Sequence, residues 1–246
     1  TIPGFYLLAN FFGTVVTGTL LDGAFSLGES VVCLPSGLEG RVRGIQNHKH
    51  KLQRVEPGYR TALNLSGLDK DQIHRGDLIA HPGDYKATRL IDLRLRALKN
   101  IDKPIHHNQG CQLYIGAAEV QAMIRLLGTE KLEAGEEAFV QLRLNQPVIA
   151  ARGDRVILRQ ASPSITLGGG TVLNPHPEAR YKRFDGVRLS RLQNLLEASS
   201  LQPVLDLVNI GTPLTPNNIA AQLHLQKDVL QQQLEGLVKE GQALRL

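Results

Sequence analysis

The sequence predicts a mainly β fold, two β-barrels in succession followed by an α-helical winged helix-turn-helix. Three observations carry this. Turn signals recur about every eight to twelve residues across residues 1–87, between short β-branched runs, the pattern of a barrel or sandwich. Residues 88–177 hold segments in which apolar and polar residues alternate strictly. After Pro177 the apolar period becomes helical.

The first unit, residues 1–87, opens on Phe12–Leu21 (FGTVVTGTLL), a β-hairpin element. Thr14, Val15, Val16, Thr17 and Thr19 favour extended backbone, and Gly13 and Gly18 mark a bend, a bulge or a close backbone approach. Turns follow at Leu21–Asp22–Gly23 and Leu27–Gly28. Ser30–Leu34 and Arg41–Ile45 read as strands, Pro57–Gly58 as a turn and Thr61–Leu65 as the next strand. Arg75–Gly76–Asp77 turns into Leu78–Ala80, and His81–Pro82–Gly83 ends the unit. Closing such short strands into a barrel removes the exposed edges they would otherwise leave.

In the second unit, residues 88–177, Ile91, Leu93 and Leu95 alternate with Asp92, Arg94 and Arg96. Val140, Leu142 and Leu144 oppose Gln141 and Arg143 in the same way. Asp154–Arg159 and Thr171–Leu173 complete the pattern around a turn at Leu167–Gly170. Asp154 and Arg155 read as a structural turn with an ion pair. One segment fits two periods: Val120, Met123, Ile124 and Leu127 suit a helix, whereas Val120, Ala122, Ile124 and Leu126 suit a strand. Its neighbours favour the strand.

Residues 178–187 read as a basic linker carrying Arg180, Lys182 and Arg183. From residue 188 to 246 the spacing is helical. Leu189, Leu192, Leu195 and Leu196 share a face, and Leu201–Val208 continues the pattern. Thr215 suits an N-cap before Pro216, and Leu230, Leu234, Leu237 and Val238 make the stripe of a last helix stopped at Gly241. Helix, turn, helix and an incipient strand follow the winged-helix order, and the chain is expected to stop at the wing.

With 246 residues, 42% hydrophobic and 21% charged, the chain has the composition of a globular protein large enough for two or three small domains. No apolar run reaches membrane-spanning length, and two cysteines make no disulfide framework, so no membrane partner and a cytoplasmic location are expected. A net charge of +5 and a pI near 9.3 are compatible with a polyanionic partner. With 4% aromatics and no Trp, such a partner would be gripped by its backbone and ends, not by stacking platforms. His106, His107 and Cys111 match no standard metal site. No nucleophile stands with a base, so no catalytic residue is assigned.

The run Gly13–Thr19 (GTVVTGT), with Leu27–Gly28, Pro57–Leu65 (PGYRTALNL) and Arg75–Gly76–Asp77, resembles the second domain of translational GTPases. The second unit, with Gly153–Asp154–Arg155 and Arg159 ahead of Thr166–Gly170, resembles their third domain, an arrangement shared with elongation factor Tu. Two such barrels followed by a winged helix look like the selenocysteine-specific elongation factors. That resemblance implies GTP-dependent delivery of selenocysteinyl-tRNA to the ribosome at a recoded stop codon. The second domain would enclose the aminoacyl end and the third would contact the tRNA stem. It also implies GTP and Mg2+ as cofactors of the full-length family, and an mRNA hairpin bound through further C-terminal domains. This chain carries no G-x-x-x-x-G-K-[ST] phosphate loop and no N-K-x-D motif, so no cofactor is assigned to it and it is expected to be inactive as a GTPase alone. The G domain is expected as a missing partner.

Arg60 matches the family's arginine in the motif G-[QY]-R-x-A-L-N, which the resemblance places in the aminoacyl pocket. A guanidinium stays protonated and rigid, which suits an ionised selenol better than a neutral hydroxyl. Without the resemblance, Arg60 reads as a solvated charge at a strand end. Arg41, Arg43, Gln46 and His48 could line the same cleft, or form a charged loop in water. Family members carry another arginine before the glycine-rich turn, where Thr1–Phe12 has no Lys or Arg. Gly168–Gly170 reads as a tight barrel turn. The alternative functions are a winged-helix nucleic-acid-binding regulator and a protein-docking module of the translation machinery. The outward Gln231, Gln232, Gln233 and Lys239 are weakly charged for a recognition helix.

Overall fold

The computed structural model describes residues 2–3, 8–10, 13–48 and 50–196, together with positions 231, 234, 235 and 238. The chain divides into two compact units, residues 1–186 and 187–246. The first unit contains both β-rich bodies.

The first body is built from β1 (Ile2–Pro3), β2 (Leu8–Asn10), β3 (Gly13–Thr19), β4 (Phe25–Ser26), β5 (Ser30–Leu34), β6 (Leu38–Asn47), β7 (His50–Leu52), β8 (Arg54–Val55), β9 (Arg60–Ser66) and β10 (Leu78–Ala80). Eight of them form one sheet in the order β1-β10-β5-β6-β9-β3-β2, with β7 beside β6, while β4 and β8 pair separately. β1 and β2 are consecutive in the chain yet stand at opposite ends of this order, and β1 also lies against β3, so the sheet curls round on itself. Alternation decides the core: Val16 on β3 and Leu63 and Leu65 on β9 point inward to meet Val31, Val42 and Ile45. β5 departs from alternation, being buried from Val31 to Leu34. Its second face, Val32 and Leu34, packs with Leu78 and Ala80 against Tyr85 and Ile149, where the other barrel covers it.

The second body comprises β11 (Ala87–Ala97), β12 (Ile105–His106), β13 (Gly110–Ile115), β14 (Ala118–Leu127), β15 (Lys131–Leu132), β16 (Glu137–Ile149), β17 (Arg155–Gln160) and β18 (Ile165–Asn174). Six of these close a barrel, β11-β16-β14-β13-β17-β18, with β18 returning to β11. Ile91, Leu93, Leu113, Ile124, Leu142 and Leu158 fill it. The two-period segment is strand β14. Val120, Ala122, Ile124 and Leu126 face the core while Met123 faces out, because pairing with β13 and β16 imposes period two.

The expected turn at Leu167–Gly170 is corrected. These residues lie inside β18, where Gly168, Gly169 and Gly170 pair with β11 on one side and β17 on the other. The glycines serve proximity instead of reversal: a Cβ on Gly168 would stand 2.3 Å from the Arg96 carbonyl oxygen, and one on Gly170 would stand 2.6 Å from that of Arg94. The expected Asp154–Arg155 ion pair gives way to a different contact, in which Ala151 N–H donates to Asp154 Oδ2 at 2.8 Å and closes the turn before β17.

Residues 178–184, read as linker, are docked on the second barrel. Tyr181 is buried, its N–H donates to Gln141 Oε1 at 3.2 Å, and Gly128 N–H donates to the Arg183 carbonyl at 2.7 Å. Beneath this strap, Gln141 Nε2 donates to Asp92 Oδ1 at 2.9 Å and to the Ala179 carbonyl at 3.1 Å. Asp92 and Gln141 therefore occupy the polar face of their strands, as the alternation predicts, and are nonetheless fully buried.

The two bodies touch closely at one further point. Gly76, with φ of +99°, lies so near Ala118 that a Cβ there would be 2.7 Å from the Ala118 Cα.

In the second unit, residues 187–196 are helical, with Leu192 buried and Leu189, Leu195 and Leu196 half-buried, the face given by the leucine spacing. Residues 231, 234, 235 and 238 are helical, with Leu234 half-buried and Val238 exposed. The remaining winged-helix expectations, Leu201–Val208, Thr215–Pro216, the outward Gln232, Gln233 and Lys239, and the stop at Gly241, lie outside the described residues. Among the described residues no helix is long and apolar enough to cross a membrane.

Candidate functional site

The outer face of β3, β9 and β6 is the surface on which the candidate residues fall. Inward and outward positions are fixed by register: β9 pairs with β3 through Thr19↔Arg60, Thr17↔Ala62 and Val15↔Asn64, and with β6 through Gln46↔Ala62, Gly44↔Asn64 and Arg41↔Ser66. Since Leu63 and Leu65 are inside, Arg60, Ala62, Asn64 and Ser66 look outward. The register shifts between Val42 and Gly44, a bulge at Arg43. That extra residue lets Val42 and Ile45 both face the core while Arg41, Arg43 and Gln46 are exposed.

The structure places Arg60, Arg41, Arg43 and Gln46 on this face, with His48 in the turn at its edge, and does not gather the five at one point. Arg60 begins β9 beside Thr19, and Gln46 lies across from Ala62, one outward position further along. His48 follows at the hairpin between β6 and β7, where its φ of 46° supplies the left-handed backbone the turn needs. Arg41 pairs with Ser66 at the far end of β9, about 20 Å from Arg60 at roughly 3.4 Å per residue. Arg60, Gln46 and His48 form one group, and Arg41 and Arg43 the other.

Between the groups sits Asn64, flanked by glycines. A Cβ on Gly13, whose φ is +127°, would fall 2.6 Å from Asn64 Oδ1, and one on Gly44 would be 3.4 Å from Asn64 Cβ. The Oδ1 atom is buried and has no hydrogen-bond partner among the described residues. Next to Arg60, Tyr59 and Leu21 are exposed, at 55% and 59%. They are held side by side by Leu20 N–H donating to the Tyr59 carbonyl at 3.0 Å and Gly58 N–H donating to the Leu20 carbonyl at 2.8 Å. Sequence reasoning gave these two residues no role, since an apolar side chain beside a turn signals nothing until its exposure is known. Charge and apolar surface thus adjoin at one end of the sheet.

Elsewhere the chemistry is structural. The Cys33 thiol lies 3.7 Å from Asp77 Oδ2 inside the first barrel, and burial pushes it up to about 12. Burial likewise raises Cys111 to about 12. Cys111 faces the second barrel's core while His106 is exposed, and among the described residues no group of three His, Cys, Asp or Glu side chains could hold a metal ion. The spacing Gly13…Gly18 imitates a phosphate loop, but these residues form a strand paired with β2 and β9. Its amides serve the ladder and Lys is absent after Gly18, so the segment does not fit a nucleotide triphosphate.

A second concentration of charge lies on the other barrel. Arg180 and Arg183 of the strap approach Arg125 of β14 and His107 beyond β12, a grouping that the sequence scatters over four separate positions.

Comparison with known proteins places both bodies. Residues 13–80 match elongation factor Tu domain 2, and residues 92–179 match the β-barrel domain of selenocysteine-specific elongation factor. A selenocysteine-specific elongation factor from Desulfomicrobium baculatum is 38% identical over 163 residues, covering 66% of this chain and 26% of the relative. One from Haemophilus influenzae is 27% identical over 95% of this chain and 36% of its own length. A crystal structure of a bacterial selenocysteine-specific elongation factor superposes with a TM-score of 0.65 at 27% identity, covering 82% of this chain and 32% of that one. The chain thus spans about a quarter to a third of the length of these relatives.

Proposed function

We propose, for a chain that belongs with the selenocysteine-specific elongation factors over both of its barrels, that those barrels hold aminoacyl-tRNA during its delivery to the ribosome. The observation that carries the reading is the ordered pair of domains, elongation factor Tu domain 2 at residues 13–80 followed by the selenocysteine-specific barrel at 92–179.

On this reading the outer face of β3, β9 and β6 receives the aminoacyl end. Arg60 supplies a fixed positive charge to the selenolate, and Gln46 and His48 contact the terminal nucleotides beside it. Arg41 and Arg43, at the other end of the face, meet the backbone. Tyr59 and Leu21 give the end group an apolar wall. A selenol is ionised at neutral pH where a serine hydroxyl is not, so one guanidinium discriminates by charge with little change in shape. The second barrel contacts the stem. The GTP and Mg2+ of the family are bound outside the two barrels, and an mRNA hairpin is met by domains beyond them.

The test compares binding of selenocysteinyl-tRNA and of seryl-tRNA on the same tRNA body, joined to a G domain and at two salt concentrations. The expected result is a preference for the selenocysteinyl form that Arg60→Gln reduces about tenfold, in line with loss of a charge-assisted contact of ~1.4 kcal/mol or more. Equal binding of the two forms by the unaltered protein overturns the proposal.

A further inference from the structure

We propose that the outer wall of the second barrel at Tyr114, Ile157 and Gly169 is a docking surface for a protein partner, one that presents an apolar side chain between acidic residues. None of these residues belongs to the outer face of β3, β9 and β6 or to the strap, and the inference does not rest on the reading of this chain as a tRNA carrier.

The three glycines of β18 differ in what they answer to. Gly168 and Gly170 pair with Ala97 and Leu95 of β11 and look into the barrel, where main-chain oxygens of β11 leave no room for a Cβ. Gly169 looks the other way, between Ile157 of β17 and Arg96 of β11. A Cβ there would find its nearest atom at 3.6 Å, an ordinary contact, and its backbone is not left-handed. Nothing within the barrel therefore requires a glycine at 169. A strand glycine without an internal reason marks a place where another chain can come close.

Register lays out what surrounds this notch. Tyr114, Ile157, Gly169 and Arg96 stand side by side on four neighbouring strands, a row about 14 Å long at roughly 4.8 Å between strands. Ile157 is 49% exposed, although Val156 and Leu158 on either side of it are buried. Tyr114 is half-buried beside it, its hydroxyl donating to Glu119 Oε1 at 2.9 Å and its ring centroid 6.0 Å from the Arg159 guanidinium. On the next row Arg155 and Arg94 flank Thr171. Among the described residues Arg94, Arg96, Arg155 and Arg159 thus face two carboxylates, Glu119 and Glu137, and Glu137 already pairs with Arg94 and Arg96. The charge left over is positive, and it rims an apolar notch. A phosphate backbone answers the charge but gains nothing from an exposed isoleucine or an empty side-chain position. Tyrosine and arginine around an apolar anchor point are what protein interfaces concentrate at their centre, and carboxylates beside the anchor complement the arginine rim.

The test measures binding of the whole chain to three fluorescent probes: the acidic peptide EDELFEDE, the peptide EDESSEDE that lacks the apolar pair, and an RNA duplex. Gly169→Val fills the notch, and Ile157→Thr cuts back its apolar wall while keeping a β-branched side chain in the strand. Ile157 is exposed, so that variant keeps the thermal midpoint and carries the test should Gly169→Val fail to fold. The expected result is that EDELFEDE binds more tightly than EDESSEDE. Each variant weakens EDELFEDE about three- to tenfold and leaves EDESSEDE and the RNA duplex unchanged. Arg155→Gln weakens both peptides and reduces their salt dependence. Equal binding of the two peptides, or EDELFEDE binding that Ile157→Thr leaves unchanged, overturns the proposal. An equal loss of RNA binding in the variants also overturns it, and gives this face to nucleic acid.

Discussion

Gln141 stands directly opposite Asp92 across β16 and β11, and its amide nitrogen reaches the Asp92 carboxylate at 2.9 Å with both side chains wholly buried. The same amide group binds the strap at Ala179 and Tyr181, and Asn174 Nδ2 approaches the other Asp92 oxygen at 3.4 Å. One glutamine thus joins a buried carboxylate to the segment that buries it.

Replacing Gln141 with Leu keeps the volume and removes both functions. Asp92 would lose a buried partner and the strap two of its hydrogen bonds, so a destabilisation of about 2–4 kcal/mol is expected. Urea unfolding gives the magnitude. Faster amide exchange at Tyr181 in native conditions would show that the strap is released first, and unchanged exchange there would refute the coupling.

The glycines of β18 predict a contrast within three residues. Gly168→Ala and Gly170→Ala press a methyl against main-chain oxygens of β11 that cannot rotate away, and each is expected to cost ~3 kcal/mol or more. Gly169→Ala meets its nearest atom, the Val156 carbonyl oxygen, at 3.6 Å and is expected to cost no more than about 1 kcal/mol. Equal thermal midpoints for the three variants would contradict the register described.

Both thiols are buried and pushed up to about 12, so neither is a thiolate at neutral pH. Iodoacetamide is expected to leave Cys33 and Cys111 unmodified in the folded protein at pH 8 and to label both in denaturant. Mass spectrometry of the intact chain reads the outcome directly.

His107 sets a pH dependence whose sign follows from its surroundings. Its value is lowered on folding, so the unfolded chain binds the proton first and stability falls as pH drops below the ordinary imidazole range. The loss continues until the folded imidazole titrates as well, and stability from this group is fully present above the unfolded value. Urea midpoints at pH 7.5 and 5.5 should differ less for His107→Gln than for the unaltered protein.

Much of the fold is legible in the sequence because one rule generates it. Alternation places Ile91, Leu93 and Leu95 inside, and the same rule settles β14 once its partners are known. It fails where a residue answers to something other than its own strand. Leu167–Gly170 has turn composition, yet the glycines answer to the carbonyls of Arg94 and Arg96, which lie more than 70 positions earlier. Asp92 and Gln141 obey the alternation and are still buried, since the strap that covers them is a polar segment with no apolar period to announce it. The site is legible in part. Arg60, Arg41, Arg43 and Gln46 share a face that the strand pattern implies, while His48 stands in the neighbouring turn and the division into two groups depends on the register and on the bulge at Arg43. The cluster of His107, Arg125, Arg180 and Arg183 has no linear signature at all.

At Gly76 the approach to Ala118 leaves no room for one more carbon. The spacing of the two barrels is therefore gauged by a missing methyl group, and the apolar contact of Val32, Leu34, Leu78 and Ala80 with Tyr85 and Ile149 keeps that gauge closed. A partner that touches both barrels meets a calliper already set. Gly76→Ala would disturb that setting, because the added methyl has to push the Ala118 backbone away.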